Sequence, residues 1–326
     1  MVVRNTMEQQ VKLRQFDKEL FGRAIVKLEP NKHSLEMEKE KFIQNMCEFI
    51  DRLNFETFQL MGRPKSDFKD IIKSLLIMSF NSMSYRRTQS DLRKMFEEEL
   101  ISYVPPRSTL NDYFNDGQTR ELISRLIQAS ALFFIDNENT LILDSTWLGL
   151  RMYSGGYRKV HDKTSTSLQK CRKLHIACLK NSKVIAYAKA TPGTVHDSPL
   201  FEEIVKRIVN NSFSIENLLA DSGYSSKTSY ALCKELGIFG TYIDFRSNAS
   251  VKRGKSDLWK EKLKLFKEQK EVWHQAYKYR ALVEGVFSAI KRKNINYLRS
   301  KKETAQDVEL LLKVLVYNLT VIGRYS

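Results

Sequence analysis

The sequence predicts an α/β fold in which a mixed sheet, flanked by helices, follows an all-helical N-terminal region. Apolar runs at residues 141–143, 174–179 and 184–190 predict strands, and the helical spacing of apolar residues over 198–209 predicts a helix after them. A further apolar run at residues 217–220 ends in an acid, as the first run does. These segments predict that strands and helices alternate in the second half of the chain.

The first sixty residues are rich in charge and predict a helical region of unclear role, residues 1–60. Between Glu36 and Leu53 four apolar residues share one helical face, namely Phe42, Met46, Phe49 and Ile50. The segment Gly62-Arg63-Pro64-Lys65 interrupts the pattern and predicts a boundary before the next region.

Residues 66–130 predict three short helices. The first is expected to start at Ser66. In the second, Thr88 and Asp91 have the spacing of a capping box. The third is expected over residues 109–114, with Ser108 as its cap.

Three short helices in a row, with arginines nearby, resemble a helix-turn-helix whose last helix enters a major groove. In that case four residues are candidates for base or phosphate contacts, namely Arg107, Ser108, Thr109 and Asn111. A plain helical bundle that supports the rest of the chain is the alternative, and the sequence leaves it open.

From residue 137 to 326 the predicted elements have the order β-β-β-α-β-α-β-α, which matches a ribonuclease-H-like fold. Asp144 lies on the first strand, Asp221 follows the fourth strand, and Glu284 lies on a later helix. That topology predicts that three acids, distant in sequence, meet at one edge of the sheet.

A basic insertion at about residues 246–272 separates the last predicted strand from the helix of Glu284. It predicts either a clamp for DNA or a solvated lysine face. Trp259 within it and Trp273 directly after it are expected to be packing residues, with stacking on a displaced base as the alternative.

Four polar residues near the C-terminus have the spacing Tyr277-x2-Arg280-x3-Glu284-x6-Lys291. On an α-helix these residues fall within an arc of roughly 60°, because each residue advances by about 100°. The adjoining face is apolar and predicts burial of Leu282, Val283, Val286, Phe287 and Ile290. Alone, such a stripe is most simply a solvated face with salt bridges.

The two strand-end aspartates change that interpretation. A carboxylate at the end of a buried strand is costly to leave unpaired. Asp144, Asp221 and Glu284 offer hard oxygen ligands of the kind that divalent cations bind. The stripe and the aspartates together therefore favour a metal site.

At these residues the chain resembles the DDE transposases of bacterial and archaeal insertion sequences, which carry a Tyr-Arg-Glu-Lys signature around the third acid. The stripe matches that signature in residue type and spacing, and Asp144 and Asp221 match the first two acids. Gly193-x2-His196-Asp197 resembles a further family element, and His196 and Asp197 are candidates for residues that support the metal ligands. The resemblance runs from about residue 67 to the end.

The resemblance implies an enzyme that binds the ends of an insertion sequence, cleaves them and joins the 3′ ends to target DNA. It implies two Mg²⁺ or Mn²⁺ ions held by three catalytic acids, Asp144, Asp221 and Glu284. Tyr277, Arg280 and Lys291 are then expected to hold DNA near the ions. The implied partners are double-stranded DNA, as inverted repeats and target, and a second copy of the chain in the DNA complex. A metal-dependent nuclease on the same fold and a DNA-binding protein derived from a transposase stay open as alternatives.

Composition agrees with a nucleic-acid partner, since 54 Lys and Arg oppose 38 Asp and Glu, a net charge of +16. The N-terminal segment Met-Val-Val-Arg-Asn lacks the apolar core of a signal peptide. The apolar stretch over residues 308–322 is interrupted by Lys313 and Asn318, so we expect no membrane span. The expected location is the cytoplasm, in association with the nucleoid.

Overall fold

The structure is a computed structural model, in which most of the chain from residue 38 onward is described. The described residues are 38–53, 67–150, 171–211, 213–245, 249, 257–293 and 297–325. The predicted boundary at residues 62–65 and the first part of the basic insertion, residues 246–248 and 250–256, lie outside them.

The N-terminal part is helical, as the sequence predicts. Its helices are α1 (Glu38–Arg52), α2 (Phe68–Phe80), α3 (Tyr85–Glu97), α4 (Arg107–Phe114) and α5 (Gly117–Ala131), followed by a 3₁₀ turn (Leu132–Asn137). The predicted apolar face of α1 is confirmed, because Phe42, Met46, Phe49 and Ile50 are buried.

The predicted capping box of α3 is wrong. The helix begins at Tyr85, and Thr88 lies inside it, where its hydroxyl donates to the carbonyl of Ser84 at 3.1 Å. Asp91 accepts a hydrogen bond from Asn81 Nδ2 at 3.0 Å instead of capping the helix. A threonine hydroxyl can bond the carbonyl four residues back within a helix, and the sequence does not distinguish this from a cap.

The predicted cap of α4 is also wrong, since this helix begins at Arg107 and its cap position is Pro106. Proline has no N–H to donate and its ring fixes φ, so it suits the residue just before the first helical turn. Residues 98–106 connect α3 to α4, a longer connection than the three- to four-residue turn of a helix-turn-helix.

The second half forms one mixed sheet of strand order β3-β2-β1-β4-β5, with β6 paired to β1. The pairs β1–β2 and β2–β3 are antiparallel, and β1–β4, β4–β5 and β1–β6 are parallel. The strands are β1 (Thr140–Leu150), β2 (Cys171–Leu179), β3 (Ile185–Pro192), β4 (Asn217–Ala220), β5 (Gly240–Ile243) and β6 (Tyr297–Leu298). The helices are α6 (Phe201–Asn210), α7 (Lys227–Glu235), α8 (Asp257–Glu268), α9 (Lys270–Tyr277), α10 (Leu282–Lys293) and α11 (Glu303–Ile322). The predicted ribonuclease-H-like class is confirmed.

One edge of β1 is interrupted, and this interruption positions the site. β2 pairs with β1 from Leu141 to Gly149. On the other edge β4 pairs only as far as Leu143, and β6 begins to pair at Gly149. Among the described strands, none pairs with that edge between Asp144 and Leu148, so side chains from helices can approach β1 there.

Helix α11 joins the N-terminal helices to the sheet. It is buried along most of its length and packs against α1, α2, α5 and β3. The predicted helical and sheet regions therefore share one apolar core within the described part of the chain. None of the helices that the structure describes, α11 included, combines the length and apolarity that crossing a membrane requires.

Asn318, which interrupts the apolar pattern of α11, binds the sheet. Its Oδ1 accepts from the N–H of Ile185 at 2.9 Å, and its Nδ2 donates to the carbonyl of Ile185 at 2.8 Å and to Ser130 Oγ at 2.9 Å. The side chain is completely buried. It therefore satisfies polar groups of β3 and α5 that have no access to water.

We predict that Asn318→Leu, which keeps the side-chain size but removes these bonds, lowers the free energy of unfolding by about 2–5 kcal/mol. The reason is that buried polar groups left unpaired cost about 1–3 kcal/mol each. Urea unfolding followed by circular dichroism measures the change. Thr320→Ala, which removes the hydroxyl that donates to the Val316 carbonyl within α11, is the control and should cost clearly less. Equal costs for the two variants would contradict this role of Asn318.

Candidate active site

Asp144 lies directly after the last β1 residue that pairs with β4. It is 6 % exposed, and its Oδ1 accepts the N–H of Ser145 at 2.8 Å. Burial raises the pKa of the Asp144 carboxyl to about 6, against the lowering effects of Arg280 and the Ser145 N–H; the nearby charges of Asp221 and Asp197 contribute to the rise. This carboxylate therefore needs a cation beside it.

Arg280 supplies that cation. Its Nη2 lies 2.7 Å from Asp144 Oδ2, and its Nη1 lies 3.1 Å from Glu284 Oε1. Although burial acts to lower the pKa of Arg280, the charges of Asp144, Asp221 and Glu284 help to raise it above its usual value. All three predicted acids thus act on one guanidinium, and two of them contact it directly.

The predicted polar stripe is present, but it does not lie on one α-helix. A 3₁₀ turn, Lys278–Ala281, separates α9 from α10. In such a turn, side chains three apart stand in line, which keeps Tyr277 and Arg280 together. Tyr277 stacks on Trp273 with 6.2 Å between ring centroids, and Lys291 Nζ donates to Thr146 Oγ1 at 2.6 Å. The predicted apolar face is buried at Val283, Val286, Phe287 and Ile290, and Leu282 is half-buried.

Asp221 follows β4 and opens a tight turn, Ser222–Tyr224. Its Oδ1 accepts the N–H of Gly223 at 2.8 Å. A Cβ on Gly223 would lie 2.9 Å from that Oδ1 and 3.1 Å from Asp197 Oδ2. Glycine is therefore required where the turn passes between the two carboxylates.

Asp197 takes part in a buried network rather than in capping the following helix. Its Oδ2 accepts from Lys173 Nζ at 2.9 Å, and its Oδ1 lies 3.0 Å from His175 Nδ1, without the alignment of a good hydrogen bond. His175 Nε2 is 2.9 Å from Thr191 Oγ1. Although burial acts to raise it, contacts with His175, Lys173 and Ser145 lower the pKa of Asp197 to about 2.

The sequence interpretation missed Lys173 and His175. Both stand at alternate positions of β2, so they share one face of the sheet, whereas Arg172 between Cys171 and Lys173 faces the other side. Two basic side chains on a buried strand face require an acid nearby, and this is the signal that was available. His196, which the sequence predicted to support the metal ligands together with Asp197, is exposed on the surface.

The strand β1 sends alternate side chains to two sides of the sheet. On one side Arg280 contacts Asp144, and Lys291 of α10 contacts Thr146. On the other side Trp147 Nε1 donates to the carbonyl of Gly193 at 2.9 Å, and the Lys173 ammonium lies 4.6 Å from the centroid of the Trp147 ring. The loop that contains Asp197 is thereby fixed against β1.

The remaining predicted site residues lie away from this edge. Arg107, Ser108 and Asn111 are exposed on α4, and Thr109 is half-buried. Trp259 and Trp273 are buried around Phe245, with ring centroids 5.7 and 5.6 Å from it. They are packing residues, as expected, and base stacking is not available to them.

The acids fit a divalent cation by the chemistry of their donors, which are hard carboxylate oxygens. Among the described residues, however, no three His, Cys, Asp or Glu side chains are assembled closely enough to hold a metal ion. Arg280 occupies oxygens of Asp144 and Glu284 that an ion would use. The Glu284 side chain is 65 % exposed, so rotation of that side chain is not hindered by burial.

The comparison with protein families agrees with this geometry. A family model described as "Transposase DDE domain" matches residues 136–319, which is more than half of the chain. Searches among curated proteins and among solved structures give no significant match. The matched segment contains β1 to β5, the turn after β4 and α10, and therefore all three acids. The chain belongs to the DDE transposase family, whose members act on DNA and generally use divalent metal ions.

Proposed function

We propose that this chain is a transposase that binds the ends of an insertion sequence, cleaves them and joins the 3′ ends to target DNA. The observation that supports this most is that Arg280 contacts two of the acids, Asp144 of β1 and Glu284 of α10. The charge of Asp221, in the turn after β4, helps to raise the pKa of the same guanidinium. Cleavage and joining are both in-line phosphoryl transfers, so one acidic site serves both steps.

Asp144, Asp221 and Glu284 would hold the metal, which we propose to be two Mg²⁺ or Mn²⁺ ions. When bound, the ions supply an activated water or 3′-hydroxyl and stabilise the leaving oxygen. Asp144 is the buried ligand of the three, and the Asp221 turn is held by its bond to the Gly223 N–H. Glu284 would be the exposed ligand, and its exposed side chain is free to turn from Arg280 toward an ion.

DNA binding is assigned to two surfaces. Beside the acids, Arg280 and Lys291 would hold the phosphates of the reacting strand, because cations form strong charge-assisted bonds with phosphate oxygens. The Tyr277 hydroxyl would donate a hydrogen bond to one of these phosphates. On α4, Arg107 and Asn111 are exposed and would contact bases or phosphates of the transposon end. Joining two ends requires two sites, so we propose a homodimer in the DNA complex.

The first prediction concerns the acids. Asp144→Asn, Asp221→Asn and Glu284→Gln should each reduce cleavage and joining below detection while specific DNA binding is kept. Each change preserves shape but removes a charge that holds the cations, and amide oxygens are weaker ligands for them. Incubation of labelled transposon ends with plasmid and Mg²⁺ or Mn²⁺ measures cleavage and joining. Removal of the metal with EDTA should abolish both reactions.

The matched control is Glu203→Gln. Glu203 also pairs with a lysine of the sheet, Lys189, and accepts from the Tyr187 hydroxyl at 2.6 Å, but it does not contact Arg280. It should keep near wild-type activity. Cleavage by the wild-type chain without any joined product would favour a nuclease on this fold, and specific binding without cleavage would favour a DNA-binding protein derived from a transposase.

The second prediction concerns competition between Arg280 and the metal. Arg280→Gln should destabilise the metal-free chain by about 2 kcal/mol, because it removes the partner of a mostly buried carboxylate. Mn²⁺ should then raise the unfolding temperature more in this variant than in the wild type, since Mn²⁺ no longer displaces a guanidinium. Thermal unfolding with and without Mn²⁺ measures both effects.

Lys291→Gln is the control, because Lys291 bonds the Thr146 hydroxyl and not an acid. Its response to Mn²⁺ should equal that of the wild type. If Arg280→Gln responds to Mn²⁺ no more than the wild type does, Arg280 and the metal do not share oxygens.

The third prediction concerns α4. Arg107→Ala should reduce the preference for transposon-end DNA over random DNA by roughly tenfold, because a bidentate base contact contributes about 1–3 kcal/mol of discrimination. Competition gel-shift titrations measure the preference. Arg87→Ala, on the exposed side of α3, is the control and should lower both affinities alike. If Arg107→Ala lowers the affinity for transposon-end DNA and for random DNA equally, Arg107 contacts a phosphate and not a base.

A further inference from the structure

A cavity of about 460 Å³ lies between α4 and the segment that leads from β6 into α11. Its walls come from the end of α2 and the start of α3, from Asn111 of α4 and Asn115 directly after it, and from Tyr297 and residues 299–302. Pockets of about 300–1,000 Å³ are typical of ligand sites. Nothing in the proposed catalytic chemistry uses this cavity.

The charge of the cavity is strongly positive. Arg299, Lys301, Lys302 and Lys313 all line it, and Glu309 is the one acid among its described lining residues. The carboxylate of Glu309 is already occupied. It accepts from the N–H of Arg299 at 3.0 Å and from the N–H and hydroxyl of Ser300 at 2.9 and 2.8 Å. These neutral donors do not cancel the charge of Glu309, but four basic side chains against one acid leave the cavity with a net positive charge.

A hydrogen bond also holds two walls of the cavity together. Arg299 donates through Nη1 to the carbonyl of Ser82, which binds the segment after β6 to the turn between α2 and α3. Lys301 and Lys302 remain exposed beside this contact. The floor is apolar, with Met78, Phe114 and Ala305.

We propose that this cavity binds the sugar-phosphate backbone of the same DNA duplex that α4 would contact. This inference rests on the proposed function, because it assumes that the chain binds DNA through α4. Asn111 belongs both to the exposed face of α4 and to the cavity wall, so the two surfaces are contiguous. Phosphates of that duplex would contact Lys301 and Lys302, and a deoxyribose would lie on the apolar floor. The backbone contact would position α4 without reading sequence.

The test is the double variant Lys301→Ala/Lys302→Ala, with fluorescence anisotropy of labelled duplex DNA measured over a range of salt. Each phosphate contact adds about 0.9 to the slope of log affinity against log salt, so the slope should decrease by about 2. Affinity at 0.1 M salt should fall roughly tenfold for transposon-end and random duplexes alike. The control is Lys227→Ala/Lys234→Ala, which removes two exposed lysines from α7 and should leave the slope within about 0.5 of the wild-type value.

Two results would overturn the inference. One is an unchanged slope in Lys301→Ala/Lys302→Ala when the wild type binds duplex DNA with a steep slope. The other is a deoxynucleoside 5′-monophosphate that binds the wild type and displaces no duplex, which would assign the cavity to a small nucleotide. A wild type with no affinity for duplex DNA would instead remove the proposed function. Both lysines are exposed, so the variant should unfold at the wild-type urea concentration.

Discussion

A carboxylate buried at the interrupted edge of β1 requires a cation, and much of the site is arranged around this requirement. Arg280 provides the cation from 136 residues further along the chain. Because Arg280 stands between α9 and α10, its contact with Asp144 fixes both helices against the sheet. Glu284 contacts the same guanidinium, so Arg280 is the counter-charge of both the first and the third acid. Arg280 is therefore the residue that brings Asp144 and Glu284 together in this structure.

A further carboxylate, Asp197, lies on the opposite side of the sheet and helps to position Asp144 and Asp221 relative to each other. Ser145, the residue after Asp144, helps to lower the pKa of Asp197, and Gly223, which follows Asp221 by two, adjoins the Asp197 carboxylate. Lys173 neutralises the Asp197 carboxylate and His175 packs against it, so more than one contact fixes the position of this side chain. The aspartates are thus held by the backbone that follows each of them, as well as by Arg280.

The sequence predicted those features that depend on local periodicity. The apolar runs that carry the two aspartates and the polar helical stripe are visible as spacing. The end predicted for the first strand is wrong, because β1 continues past Asp144 to Leu150. Of the three acids, Asp144 and Glu284 contact one guanidinium. The 3₁₀ turn before α10 was not predictable, because residues three apart stay aligned in either helix type. The network of Asp197 depends on the register between β2 and the loop after β3, and Asn318 depends on contacts across 133 residues. Interactions of that range leave no trace in local spacing.

The strand β6 connects the acidic site to the cavity beside α4. Lys291 contacts Thr146, and after α10 the chain returns to β1 at Gly149, which pairs with Tyr297. Thr146 and Gly149 are three residues apart, or about 10 Å along a strand. The cavity begins at Tyr297 itself. A duplex bound there would lie at an offset from the acids that is fixed by strand pairing and not by a linker. The pairing of β6 with β1 would then set the distance between the recognised DNA sequence and the cleaved bond.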